Sequence, residues 1–216
     1  MLQTVFALIC IGLWVPLLVG EVQGWFWVRA VTKTLASFAF LAHGLANGLL
    51  DGGAMGDTVV VALALSIVGD VLLLSPDRRA FLAGIGAFLL AHVAYIGAFL
   101  LSGPSPLGAG VALIPLAAAG FLAWSWIGPG TGRMRPAVLA YMVVISLMVA
   151  SAAGLLAAFP GLWTGRLFAS AVAFYASDLA VARNRFVAPG PGNRIVGLPL
   201  YYVAQLGFAG GFVLAH

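Results

Sequence analysis

Charge is what this sequence has least of. Only 7% of its 216 residues are Asp, Glu, Lys or Arg, and the acids number six. Cysteine is nearly missing as well. Cys10 stands alone, so neither an internal disulfide nor a cysteine cluster for zinc can form. The net charge of +4 resides mostly in loop arginines, and no basic run interleaves with aromatics, which argues against a nucleic-acid surface. The opening Met1-Leu-Gln-Thr lacks a positive n-region and no convincing cleavage site follows, so the first apolar run is expected to be a retained helix rather than a signal peptide. There is no Gly-x-Ser-x-Gly elbow for a serine nucleophile and no His-Glu-x-x-His pair for zinc.

What is abundant is apolar surface. The chain is 63% hydrophobic with a mean hydropathy of +1.11, far beyond what a water-soluble domain needs. The apolar runs do not alternate with period two, which excludes a transmembrane barrel. The 28 glycines suit close helix packing in lipid. The expected fold is all-α, a polytopic membrane bundle of eight transmembrane helices forming a single domain over residues 1–216. The spans fall at about 2–20, 28–46, 57–74, 80–101, 107–127, 136–158, 163–182 and 195–214. Turn signals such as Ser102-Gly-Pro-Ser-Pro and Ala188-Pro-Gly-Pro-Gly separate them. Loops one, three, five and seven hold Arg29, Arg78, Arg79, Arg133, Arg135, Arg183, Arg185 and Arg194, whereas the even loops hold only Arg166. That asymmetry predicts cytoplasmic odd loops and both termini outside.

Two acids interrupt the apolar background. Asp178 sits in span seven and Asp70 in span three, and an ionisable group at the bilayer centre costs roughly 3 kcal/mol or more. Such residues are usually kept because they have a partner or a task. Each acid is followed by a basic turn, and the next spans carry Ala91-His92 and Ala204-Gln205, which suggests a four-plus-four parallel repeat with both acids at its centre. Counted at about 1.5 Å per residue from the arginines, Lys33 and Asp178 lie about 6–7 Å deep, Asp70 up to about 12 Å, and His92 and Gln205 about 16–20 Å. All five can line one funnel opening to the cytoplasmic leaflet. His43 is about 15 Å beyond Lys33 and does not join them. Two carboxylates and a lysine in low dielectric cannot all be simply charged, which yields one protonated acid beside one carboxylate, the pairing used in general acid/base work. The competing reading is a buried Lys33–Asp ion pair that only locks helices together. Ser66 and Tyr175 share helical faces with Asp70 and Asp178 and are placed to orient them. His92 with Tyr95, and Tyr201, Tyr202 and Gln205 on span eight, complete the supporting set. No metal or other cofactor is expected.

At these residues the chain resembles the lysoplasmalogenase (YhhN-like) membrane family. The matching pieces are Ser66-x-x-Gly69-Asp70-x-Leu72, Phe88-x-x-Ala91-His92-x-x-Tyr95-x-x-x-Phe99, Ser177-Asp178 through Arg183-Asn184-Arg185-Phe186, and Tyr201-Tyr202-x-Ala204-Gln205. Thr34 follows Lys33 where the family pattern tends to have proline. The resemblance implies hydrolysis of the vinyl ether bond of a lysoplasmalogen to a fatty aldehyde and a glycerophospho-base. Asp70 and Asp178 would be the catalytic pair, the partner a lysophospholipid of ethanolamine or choline type, and the location a bacterial inner membrane. A small proton-coupled transporter is the alternative, since a parallel repeat with intramembrane acids suits that task too.

Overall fold

The protein is described here from a computed structural model covering residues 1–212. The end of the eighth predicted span, residues 213 and 214, lies outside the described residues. Helices run α1 (Leu2–Gly12), α2 (Trp14–Gln23), α3 (Phe26–Ala46), α4 (Gly53–Leu72), α5 (Arg78–Leu101), α6 (Pro106–Ile127), α7 (Arg135–Ala158), α8 (Leu162–Phe186) and α9 (Pro191–Gly211), and no strand is present among the described residues.

The first predicted span is one apolar run, Leu2–Gln23, bent into α1 and α2 at Leu13. Pro16 explains the break: it has no N–H to give the Gly12 carbonyl, and its ring crowds the preceding turn. The helix then stops at Gly24, whose left-handed φ of 72° turns the Trp25 N–H back onto the Gly20 carbonyl at 2.9 Å. Asp77 caps α5 by accepting from the N–H groups of Arg79 and Ala80 at 2.7 and 3.1 Å. Ser105 caps α6 through Gly108, with Pro106 at the first helical position. The helix of the seventh predicted span extends beyond residue 182. α8 continues to Phe186, so Arg183 and Arg185 occupy its last turn, where cations suit the negative helix end.

Six helices close into a ring in the order α3, α4, α5, α7, α8, α9 and back to α3. The α1–α2 arm packs outside α3, and α6 packs outside α7. The first and second halves therefore repeat one plan: an outer span followed by three ring helices. This is the packing that a parallel four-plus-four duplication gives.

The molecule is inside-out relative to a soluble domain. Large apolar side chains such as Trp27, Leu107, Ile114 and Phe121 are exposed, while Lys33, Ser37, Ser66, Asp70, His92 and Gln205 are buried. Five segments among the described residues, including Leu2–Gln23 and Arg78–Leu101, are long and apolar enough to cross a membrane by length and composition alone. The remaining long helices, α3, α8 and α9, carry the extra polar residues that the interior uses. The chain is an all-α integral membrane bundle.

Small residues let the ring close. A Cβ at Gly207 of α9 would collide with the Ser170 hydroxyl of α8, and one at Gly211 would press on Leu167. Gly207→Ala is expected to cost about 1–3 kcal/mol through overpacking, seen as a lower unfolding temperature in detergent. Gly86, with open space around it, supplies the control: Gly86→Ala should not lower that temperature. Equal midpoints for both variants would mean that α8 and α9 are not closely packed there.

Candidate active site

Asp70 and Asp178 line the same cavity, of about 550 Å³, inside the ring. They do not touch each other. Each sits in its own cluster of partners.

Asp70 is almost wholly buried, and every group it meets is a donor. The Lys33 ammonium lies 3.1 Å from Oδ1, and the hydroxyls of Ser37 and Tyr201 donate to Oδ2 at 2.7 and 2.6 Å. An ammonium and two hydroxyls satisfy an ionised carboxylate well, so this cluster is a fixed anion with its counter-ion.

Asp178 is more open, with its side chain 18% exposed towards the cavity. The Tyr141 hydroxyl donates to Oδ2 at 2.7 Å, and His92 Nε2 lies 3.5 Å from the same oxygen. The other ring nitrogen, Nδ1, meets the Phe88 carbonyl oxygen. Nitrogen against a carbonyl must be the donor, which assigns the proton to Nδ1. In neutral imidazole Nε2 then carries a lone pair and faces a carboxyl oxygen. Lone pairs on both groups would repel; a proton on either one turns the contact into an attraction. Nε2 is buried and has no hydrogen bond of good geometry, so the contact at 3.5 Å is a loose one that a small movement would tighten.

The two clusters follow the same plan. Asp70 on α4 takes Lys33 from the preceding ring helix α3 and Tyr201 from across the ring on α9. Asp178 on α8 takes Tyr141 from the preceding ring helix α7 and His92 from across the ring on α5. Tyr141 follows Lys33 by the same 108 positions (141 − 33 and 178 − 70) that separate the acids. The matching site thus carries a cation in one half and a phenol in the other. Tyr95 and Gln205, on the matching helices α5 and α9, join through a 2.6 Å hydrogen bond.

Of the residues picked from the sequence, Lys33, Asp70, Tyr175, Asp178 and Tyr201 line the cavity. His92 reaches it only through Asp178. Two assignments change. Ser66 does not orient Asp70, because its hydroxyl goes to the Ala62 carbonyl of its own helix and Ser37 of α3 takes the role. Tyr175 does not hold Asp178 and has no hydrogen bond, whereas Tyr141 of α7 does. Tyr202 packs against Trp14 and Phe40, and Tyr95 and Gln205 lie behind the lining. His43 is apart from the site, against the Gln3 carbonyl. Among the described residues no group of three or more His, Cys, Asp or Glu is gathered as for a metal ion.

Phe88 and Tyr201 line the cavity between the clusters, edge-to-face with each other and with Phe174 behind them. Towards the arginine-rich loops the lining turns polar, with Glu21, Arg29, Ser75, Asn184, Arg185 and Arg194. An apolar chamber with a basic mouth and two carboxylates, one buried and one facing the cavity, suits an amphiphile better than a polar solute.

A family model described as the YhhN family matches residues 28–212. The lysoplasmalogenase of Mycobacterium bovis is 39% identical over 163 residues, 71% of this chain and 59% of that protein. Human lysoplasmalogenase TMEM86A is 34% identical over 188 residues, 83% of this chain and 76% of that protein, and bovine TMEM86A is 31% identical over the same length. The aligned region thus spans about three fifths of the mycobacterial relative and about three quarters of the mammalian ones. No solved structure matches this chain. The matched region takes in α4, α5, α7, α8 and α9 whole and nearly all of α3, and with them both carboxylates and every partner named above: this chain belongs to the YhhN family.

Proposed function

We propose that this protein hydrolyses the vinyl ether bond of lysoplasmalogens, adding water to release a fatty aldehyde and a glycerophospho-base. The single observation that carries the reading is the unequal pair of carboxylates on one amphiphile-sized cavity: Asp70 buried among the Lys33, Ser37 and Tyr201 donors, and Asp178 more open with His92 Nε2 3.5 Å away. The printed names of the relatives agree with it.

An enol ether is cleaved by protonation of its β-carbon. A proton shared by Asp178 and His92 passes from Asp178 to that carbon, the C=C electron pair forms the new C–H bond, and positive charge develops across the ether carbon and oxygen. The Asp70 carboxylate stabilises this oxocarbenium ion in a site poor in water. Water adds to the cationic carbon while Asp178 and His92 take its proton back, restoring the pair. The hemiacetal then breaks its C–O bond to the glycerol oxygen, giving aldehyde and alcohol. The sequence of acid then base parallels paired-carboxylate glycoside hydrolysis. With the arginine-rich end cytoplasmic by the positive-inside rule, the site faces the inner leaflet and both termini lie outside.

The direct test is aldehyde release from 1-alkenyl lysophospholipid by purified protein in detergent, with no ion gradient. Turnover supports the hydrolase. Absence of aldehyde, together with solute uptake driven by a pH gradient in liposomes, would replace it with a transporter.

A further inference from the structure

We infer that the basic mouth of the cavity is a binding site for a phosphodiester, the one that joins a lysolipid's glycerol to its head group. The inference rests on the lipid-hydrolase reading above and adds to it the group that sets the substrate's position.

Three guanidiniums, those of Arg29, Arg185 and Arg194, stand on the lining with one carboxylate, Glu21. The Glu21 side chain is 8% exposed; it accepts a hydrogen bond from Arg194 Nη1 at 2.6 Å and is ion-paired at 3.2 Å with Arg29 Nε, which makes no hydrogen bond of good geometry. A guanidinium has five N–H donors, so each arginine keeps several unused. Arg185 Cζ lies over the Phe81 ring, 4.4 Å from its centroid, and the guanidinium has no acidic partner among the described residues. The mouth therefore carries a surplus of two positive charges.

Arginines that only orient a helix bundle in the membrane need no fixed geometry, since snorkelling freely into water serves that purpose. Here a buried carboxylate on α2 pins one guanidinium from α3 and one from α9. Holding donors in place is what recognition of a tetrahedral anion requires. Arg194 is also in the first turn of α9, where the positive helix end adds to the field. The spacing fits a glycerol. Arg29 precedes Lys33 by four residues and Arg185 follows Asp178 by seven, which puts the arginines about 6–10 Å nearer the mouth than the acids. One end of a glycerol backbone can then present its ether to Asp178 while the other presents its phosphate to the guanidiniums, and the alkenyl chain runs into the apolar chamber.

Binding of uncleavable probes tests this without relying on turnover. A saturated 1-alkyl lysophospholipid and the matching 1-alkyl glycerol, identical except for the phosphate-bearing head group, are titrated into the protein in maltoside micelles. The phosphate-bearing ether should bind the wild type at least about tenfold more tightly, with the gap shrinking as salt rises. In the Arg185→Gln, Arg194→Gln double variant the gap should close while 1-alkyl glycerol binds as before, which also reports that the variant is folded. Equal binding of the two ethers to the wild type overturns the inference, and so does a variant that keeps the preference. The wild-type comparison decides alone if the variant does not fold. Inorganic phosphate is the third probe; protection equal to that of the phosphate-bearing ether would assign the cluster to free phosphate and overturn the lipid assignment. Selective binding of the phosphate-bearing ether without aldehyde from the alkenyl lipid would leave the site standing and remove the hydrolase reading.

Discussion

Asp178→Asn is expected to lower aldehyde release by about 10²–10⁴-fold, the usual loss when a general acid is removed. Asparagine has nearly the same shape and keeps an oxygen for the Tyr141 hydroxyl, so the helix packing around it should survive. What it loses is the proton shared with His92. The variant should keep its helical circular dichroism and still bind a saturated lysoether, because neither depends on that proton. Wild-type protein run in D₂O, with the aldehyde reduced as it forms, should give a product carrying one deuterium on the carbon next to the former carbonyl, since that is the carbon protonated first. A variant that turns over at a near-normal rate, or a wild-type product without that deuterium, would remove Asp178 as the acid. His92→Gln should weaken turnover less than Asp178→Asn does, because His92 acts through Asp178 and does not line the cavity.

The spans and the two acids were legible because a carboxylate in an apolar run has no ordinary reason to be there. Partners were harder to read. A search along one helix at three- and four-residue spacing finds Ser66 and Tyr175, yet the groups that hold the acids, Ser37 and Tyr141, come from neighbouring helices. Neighbours in a ring are fixed by topology, which local periodicity does not encode. The missing signal was the register of the duplication. Aligning Asp70 with Asp178 aligns Lys33 with Tyr141, and that step names the missed phenol without coordinates. Depth misled for a related reason. Counting inward from Arg183 treats that residue as the water boundary, whereas α8 continues to Phe186. His92 Nε2 nevertheless lies 3.5 Å from Asp178 Oδ2, so counting from the nearest arginine does not fix the relative depth of two residues on different helices. In the sequence the mouth arginines are only topology markers, because nothing there shows that Glu21 from another helix pairs with two of them.

Removing both charges of the Lys33–Asp70 pair should restore stability and, on the proposed hydrolysis, leave the protein releasing little aldehyde. Asp70→Asn alone strands a buried ammonium, and Lys33→Met alone strands a buried carboxylate. Breaking a buried pair from either side costs on the order of 3–5 kcal/mol. In the double variant Lys33→Met, Asp70→Asn no charge is left unpaired, and asparagine keeps an oxygen for the Ser37 and Tyr201 hydroxyls. Replacing such a pair by neutral groups is often close to neutral for stability. Thermal unfolding in detergent should therefore show two destabilised single variants and a double variant near wild type, a coupling that a double-mutant cycle measures. Activity separates the two roles this pair can have. If Asp70 stabilises the developing cation, the double variant is folded and releases little aldehyde, because nothing replaces the lost anion. If the pair only ties α3 to α4, activity returns with stability. A stable, active double variant would thus reduce Asp70 to a packing device and leave the Asp178–His92 proton as the sole acid/base element of the cavity.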